Sequence, residues 1–281
     1  MKLFISTDMG GIMGISSWLE MERNQRGKEC DDRVLRELSW VMDELRQSPV
    51  DERIEEILIC DSHSRGENVP YGLFSDSRVN LIKGYPRPFY MMQGLDASFD
   101  MALLIGYHAM AGTAEAVMDH TYASSCIYAI RINGEAMGEV GINAFLAGVF
   151  GVPIALISGD EALEEEIKEL FSPNIPFVRT KEGIGKFAAK MYSPAVIEES
   201  YRRQVRQMLN SYETLEVKKL EGEIELEIDM INTVMTDALS IVPNVERAGG
   251  RTVRYVSRDY RDVYRMVLTA AMIGGKFVNH M

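Results

Sequence analysis

Short apolar runs that recur between helical patterns constrain this chain more than any other feature. Lys2–Thr7 and residues 56–60, 79–83, 101–107 and 153–158 are each too short for a core helix and do not alternate cleanly between apolar and polar. Such runs read as strands buried on both faces. Between them lie segments of helical period. Residues 31–47 set Val34, Leu35, Leu38, Val41, Met42 and Leu45 on one side. Residues 139–150 end at Gly151, which suits the position just past a helix. Asp160 caps residues 161–171, whose first turn is acidic, as the helix dipole prefers. Residues 124–132 form a further strand that turns at Asn133-Gly134. The alternation predicts an α/β fold, a largely parallel sheet covered by helices on both faces.

After Pro194 the pattern changes. A polar helix over 195–210 leads to "EGEIELEIDM", residues 221–230, in which Ile224, Leu226 and Ile228 alternate with Glu225, Glu227 and Asp229. A period of two means a half-exposed strand. "RTVRYVS", residues 251–257, repeats it, and a helix over 260–273 closes the chain. The expected organisation is an α/β domain over 1–193 followed by a smaller α+β domain over 194–281.

Charge and cysteine usage narrow the function classes. A net charge of −12 opposes nucleic-acid binding, which needs clustered cations. The one basic stretch, "YRRQVR" at 201–206, reads as a solvated helix face. No apolar run approaches the roughly 20 residues of a membrane helix, and the first residues lack a cleavage signal, so a cytoplasmic location is expected. Cys30, Cys60 and Cys126 are far apart and odd in number, which predicts reduced thiols rather than a disulfide framework or a cysteine zinc site.

Three strand exits carry candidate metal ligands. The first strand runs into Asp8 in "ISTDMGGIMGI", the second into Asp61-Ser62-His63, and the 101–107 run into His108. Ligands of open parallel sheets lie beyond the carboxyl ends of the strands. Each residue alone also reads as a turn, capping or packing group; together they read as an oxygen and imidazole site suited to zinc, manganese or cobalt. Glu139 at a helix start is a fourth candidate, with Glu135 as its competitor and a favourable helix-dipole acid as its plain alternative. Asp61 either orients an imidazole from behind or closes a loop. Asn143 either faces the cleft or is an ordinary helix-start residue. His120, read from its surroundings alone, is a hydrogen-bonder of the loop after Ala111-Gly112-Thr113. The opening stretch has neither phosphate-loop spacing, so a phosphate cradle is disfavoured.

"KLFISTDMGGIMGI", "CDSHS", "IGYHAMAGT", "VMDHTY" and "NGEAMGEVGINAFLAG", in order from residue 2 to about 160, together resemble the DppA-type D-aminopeptidases, a family of dizinc peptidases. The C-terminal third matches only in general pattern. The resemblance implies Asp8, His63, His108 and Glu139 as metal ligands, with Asp8 bridging two cations, and His120 as the catalytic proton shuttle. It also implies zinc as cofactor, short peptides of D-amino acids as substrates, and a homo-oligomer, a decameric ring. Where the family's D-x-E-G motif has Glu, this chain has Gly10. That removes a carboxylate and predicts one tight and one weak or empty metal position, with Gly10→Glu raising metal content. Two further readings stay open: a metal-dependent amidase of other small amides, and a non-catalytic member that retains the fold.

Overall fold

A computed structural model describes residues 1–21, 23–72, 74–171 and 175–280, with side chains described outside 22–31 and 279–281. The expectation for the Cys30 thiol lies outside the described side chains; Cys60 and Cys126 are free and buried.

A seven-stranded sheet forms the centre. Its strands are β1 (Lys2–Thr7), β2 (Glu56–Asp61), β3 (Val79–Ile82), β4 (Met101–Ile105), β7 (Ile154–Asp160), β8 (Phe177–Gly185) and β9 (Ala188–Met191). The order is β3-β2-β1-β4-β7-β8-β9, parallel except for the β8–β9 hairpin. The apolar runs are continuous because both faces are buried. Leu3, Ile5, Ile57, Ile59, Leu103 and Ile105 pack into one core, and Phe4, Leu58, Cys60, Ala102 and Leu104 into another. The first core is shared with α1 (Arg23–Gln47) and α4 (Pro194–Ser211), which pack on each other. The second is shared with α2 (Glu139–Val149), α3 (Glu161–Ile167) and α6 (Tyr260–Gly274).

A second, antiparallel sheet has the order β11-β12-β10-β5-β6, from β5 (Ile127–Ile132), β6 (Glu135–Ala136), β10 (Ile224–Met230), β11 (Val245–Arg247) and β12 (Thr252–Ser257). In β10 buried and half-buried residues alternate along the whole strand. α5 (Thr233–Leu239) and α6 pack on this sheet. The sheets interleave across the 193/194 boundary read from the sequence. β5 and β6 precede it yet belong to the second sheet, and α4 follows it yet packs on β7 and β8.

The topology positions a site. From β1 the chain builds outward to β2 and β3, then returns to the other side of β1 with β4. The crevice between the carboxyl ends of β1 and β4 is therefore a topological switch point. Two glycines bring its walls together. A Cβ on Gly11 would lie 1.8 Å from the Tyr107 carbonyl, and Gly106, at φ 75°, would bring one 2.5 Å from the Asp8 carbonyl. Gly11 N–H donates to the Gly106 carbonyl at 2.7 Å and Asp8 N–H to that of Ile105 at 2.8 Å.

Candidate metal centre

Five side chains from separate segments meet at this switch point. Asp8 follows β1, His63 follows β2, His108 follows β4, His120 sits in the loop before β5, and Glu139 opens α2. Asp8 Oδ1 lies 3.0 Å from His63 Nδ1, and Asp8 Oδ2 lies 3.5 Å from His108 Nε2. His108 Nε2 lies 3.7 Å from Glu139 Oε1. The His108 and His120 rings stack at 4.0 Å with 13° between their planes. Donor atoms of His108, His120 and Glu139 fall within 4.8 Å of one another. Asp8, His108 and Glu139 are almost completely buried. The left-handed backbone of Met118 (φ 53°) and Tyr122 (φ 59°) brackets the His120 turn.

Backbone hydrogen bonds fix which imidazole nitrogens carry protons. His108 Nδ1 donates to the Ala109 carbonyl at 3.0 Å and His120 Nδ1 to the Met118 carbonyl at 2.7 Å. A carbonyl only accepts, so each neutral ring presents Nε2 as a lone pair. His108 Nε2 is buried without a hydrogen-bond partner. A lone pair facing two carboxylates without a shared proton is an arrangement that a divalent cation satisfies, and imidazole plus carboxylate is the donor chemistry of zinc. The residues fit a metal.

Charge and burial act against each other here. Burial would raise Asp8, but the hydrogen bond and positive field of His63, with smaller contributions from His108 and His120, hold its carboxyl well below the usual range. Burial would lower His63; Asp8 outweighs that and raises it. Burial and the neighbouring His108 depress His120 to about 4. Burial and the charge of Asp8 push Glu139 up to about 7, against the pull of His120.

Glu139 and the loops that carry His63 and His120 have support from behind. Glu139 Oε1 accepts from Tyr122 N–H at 2.7 Å. Tyr122 and Tyr264 hydroxyls donate to Asn143 Oδ1 at 3.1 and 3.0 Å, and Asn143 Nδ2 donates to Tyr107 at 3.0 Å. Asn143 is thus buried in a tyrosine network one helical turn beyond Glu139. Asp61 acts on the His63 loop rather than on its ring. Its carboxylate accepts from Asn68 N–H, Val69 N–H and Asn68 Nδ2, and Asn68 Nδ2 also reaches the His63 carbonyl at 2.8 Å. Asp160 caps α3 through Leu163 N–H and also takes Val117 N–H from the His120 loop. Glu135 is exposed on β6.

Gly10 gains a second meaning. Its N–H donates to Asp8 Oδ2 at 3.2 Å, and a Cβ there would lie 2.5 Å from His108 Cδ2. The imidazole occupies the space that a side chain at position 10 would need. Adding a carboxylate at this position must displace His108, so the expected gain from Gly10→Glu does not follow from the geometry. A cleft of about 290 Å³ opens onto Asp8, His63, His120 and Glu139, walled by Trp18, Ser64, Tyr90, Tyr122 and Ser124. Sequence reasoning missed these walls, which no local pattern marks.

An open α/β sheet with buried imidazoles and carboxylates converging at its switch point describes the class of protein with a metal-type centre at a sheet edge. The D-aminopeptidase family model, peptidase M55, matches residues 1–269, well past the residue-160 limit of the motif blocks, and the chain belongs to that family. It is 30% identical over 273 residues to a D-aminopeptidase of Bacillus subtilis (strain 168), covering 95% of this chain and 96% of the relative. A solved structure, described as the Zn-dependent D-aminopeptidase DppA from Bacillus subtilis, a self-compartmentalizing protease, superposes with a TM-score of 0.91 at 28% identity over 98% of both chains.

Proposed function

We propose that this chain is a zinc-dependent aminopeptidase that removes the N-terminal residue from short peptides of D-amino acids. The observation that carries the reading is the convergence of Asp8, His63, His108, His120 and Glu139 on one buried point, with His108 Nε2 left as an unpartnered donor. Family membership and the zinc dependence of the solved relative support it. Asp8, His63, His108 and Glu139 would hold the metal. Bound zinc supplies Lewis acidity toward a carbonyl and a lowered pKa for a coordinated water.

The chain's own groups then have defined tasks. His63 keeps Asp8 ionised through their 3.0 Å contact. Tyr122 N–H fixes one Glu139 oxygen. His120, with Nδ1 tied to Met118, offers Nε2 as the atom that accepts and returns a proton. Gly10 supplies no carboxylate, so one metal position is tight and a second weak or empty. The proposal includes a homo-oligomer, a ring-shaped decamer, in line with the self-compartmentalizing description of the relative. No described helix is long and apolar enough to cross a membrane, in keeping with the proposed cytoplasmic site of action. A second reading, a family member that binds metal but hydrolyses poorly, rests on Gly10 alone.

The test is hydrolysis of D-alanyl and L-alanyl p-nitroanilide by chelator-stripped protein before and after zinc is returned. The expected result is zinc-dependent release from the D-substrate that His108→Ala abolishes. Zinc bound without release of either product favours the second reading. Light scattering on the same sample reads the oligomer, and a monomer removes the ring.

A further inference from the structure

The loop that carries Asp8 and Gly10 has an unusual anchor. Lys181, on β8, is completely buried. Its ammonium donates to the carbonyls of Gly10 at 2.7 Å, Ile12 at 3.0 Å and Ile15 at 2.6 Å. An ammonium has three protons, and all three are used. Other side chains from β8 and α1 hold the rest of the loop. Thr180 Oγ1 donates to the Gly11 carbonyl at 2.6 Å, Arg33 to that of Gly14 at 2.6 Å, and Glu37 Oε1 accepts from Met13 N–H at 2.7 Å. Glu37 is itself held by the Tyr201 hydroxyl at 2.5 Å.

We infer that Lys181 is a positioning residue for the metal centre: seated in a ring of three backbone carbonyls, it sets the path of residues 8–15 and so the placement of Asp8 and Gly10 against His108. The seat has the chemistry of a monovalent-cation site that the protein fills with its own side chain. Burying a cation is costly unless it is fully hydrogen-bonded. A methionine of similar length would turn the Gly10 and Ile15 carbonyls inward without their donor and leave Ile12 only the long Ile15 N–H bond of 3.4 Å. The affected loop touches the centre directly, because Gly10 N–H bonds Asp8 Oδ2 and the Gly10 α-carbon borders the His108 ring. Burial lowers Lys181 to about 8, with Asp160 and Glu37 opposing that shift, so it remains largely an ammonium at neutral pH.

This inference rests on the metal-centre reading, and its test separates the two. Zinc affinity is measured by competition with a chromophoric chelator on the full chain. Lys181→Met is expected to lose about 10-fold or more, the scale set by groups that orient ligands from behind. Lys181→Ala should lose as much and recover in propylammonium, which replaces the missing ammonium, but not in tetramethylammonium at equal ionic strength. Arg131→Ala, in the five-stranded sheet, should keep wild-type zinc affinity whatever stability it loses. A folded Lys181→Met with wild-type affinity overturns the inference, as does a Lys181→Ala loss that both salts or neither restore. Should the lysine variants not fold, Thr180→Val decides. It removes the anchor on Gly11 together with a 3.1 Å bond to the Gly159 carbonyl, and leaves Lys181 in place; undiminished zinc affinity there overturns the inference while a loss supports it. A wild-type chain that binds no zinc removes the metal-centre reading and this inference with it.

Discussion

The two sheets of this molecule use the same charged residue types for opposite ends. In the five-stranded sheet they pair across strands where water still reaches them. Arg131 meets Glu227 at 3.0 Å and Asp229 at 2.8 Å, Arg254 bonds Glu225, and Thr252 bonds Asp229 at 2.6 Å. At the carboxyl edge of the seven-stranded sheet, Asp8, His108 and Glu139 are 3%, 1% and 3% exposed. There the acceptors face one another. The first arrangement satisfies itself; the second calls for a cation. Placement, rather than composition, separates a structural ion-pair ladder from a site.

The largest break in that comparison is His108→Ala, which removes the orphaned Nε2. Zinc affinity is expected to fall by more than about 100-fold, beyond the usual effect of groups that merely orient a ligand, and titration calorimetry reads it. An unchanged affinity would mean that the buried donors do not form one site. Gly10→Ala comes next. Its Cβ must push the His108 ring, at a cost of about 1–3 kcal/mol of overpacking by urea unfolding, with weaker zinc binding alongside. Stability and zinc binding both at wild-type levels would mean the ring yields freely. In the other sheet, Arg131→Ala should cost about 0.2–1 kcal/mol and leave hydrolysis untouched, as partly exposed pairs do. A loss of activity there would erase the distinction between the sheets.

The smallest effect sharpens the comparison by sign. Burial raises Glu37 to about 7, against hydrogen bonds from Tyr201 and Met13. Its folded pKa lies above the unfolded value, so its share of stability is present below about pH 4.5 and is lost as pH rises through about 7. The hydrogen bonds of Asp229 to Arg131 and Thr252, against a smaller opposing effect of burial, lower its carboxyl. Its share is present above the unfolded value and lost as pH falls through the folded one. Glu37→Gln should flatten the fall in Tm between about pH 5 and 7, and Asp229→Asn the fall in acid. Slopes of the same sign in both variants would contradict the account.

The fold was legible where burial is two-sided. β1, β2, β4 and β7 fall within two residues of their expected ends, because a strand covered on both faces reads as a continuous apolar run. The β8–β9 hairpin was not legible. Its inward residues include Thr180 and Lys181, polar groups whose partners lie about 170 positions away in sequence, and β9 is a short edge strand. α5 and β11 escaped by brevity. Asp8, His63 and His108 could be named together because three strand exits share one edge. The packing of His108 against Gly10, the tyrosine network around Asn143 and the carbonyl seat of Lys181 arise from contacts between distant segments, which no local spacing encodes.

Crystals grown with zinc and measured on either side of its absorption edge test the central claim most directly. The account predicts a strong anomalous peak bonded to His108 Nε2 and bordered by Asp8 and Glu139, with any second peak weaker and beside Asp8 and His63. Fully loaded crystals without density among these residues, or with the ion bound elsewhere, would contradict it.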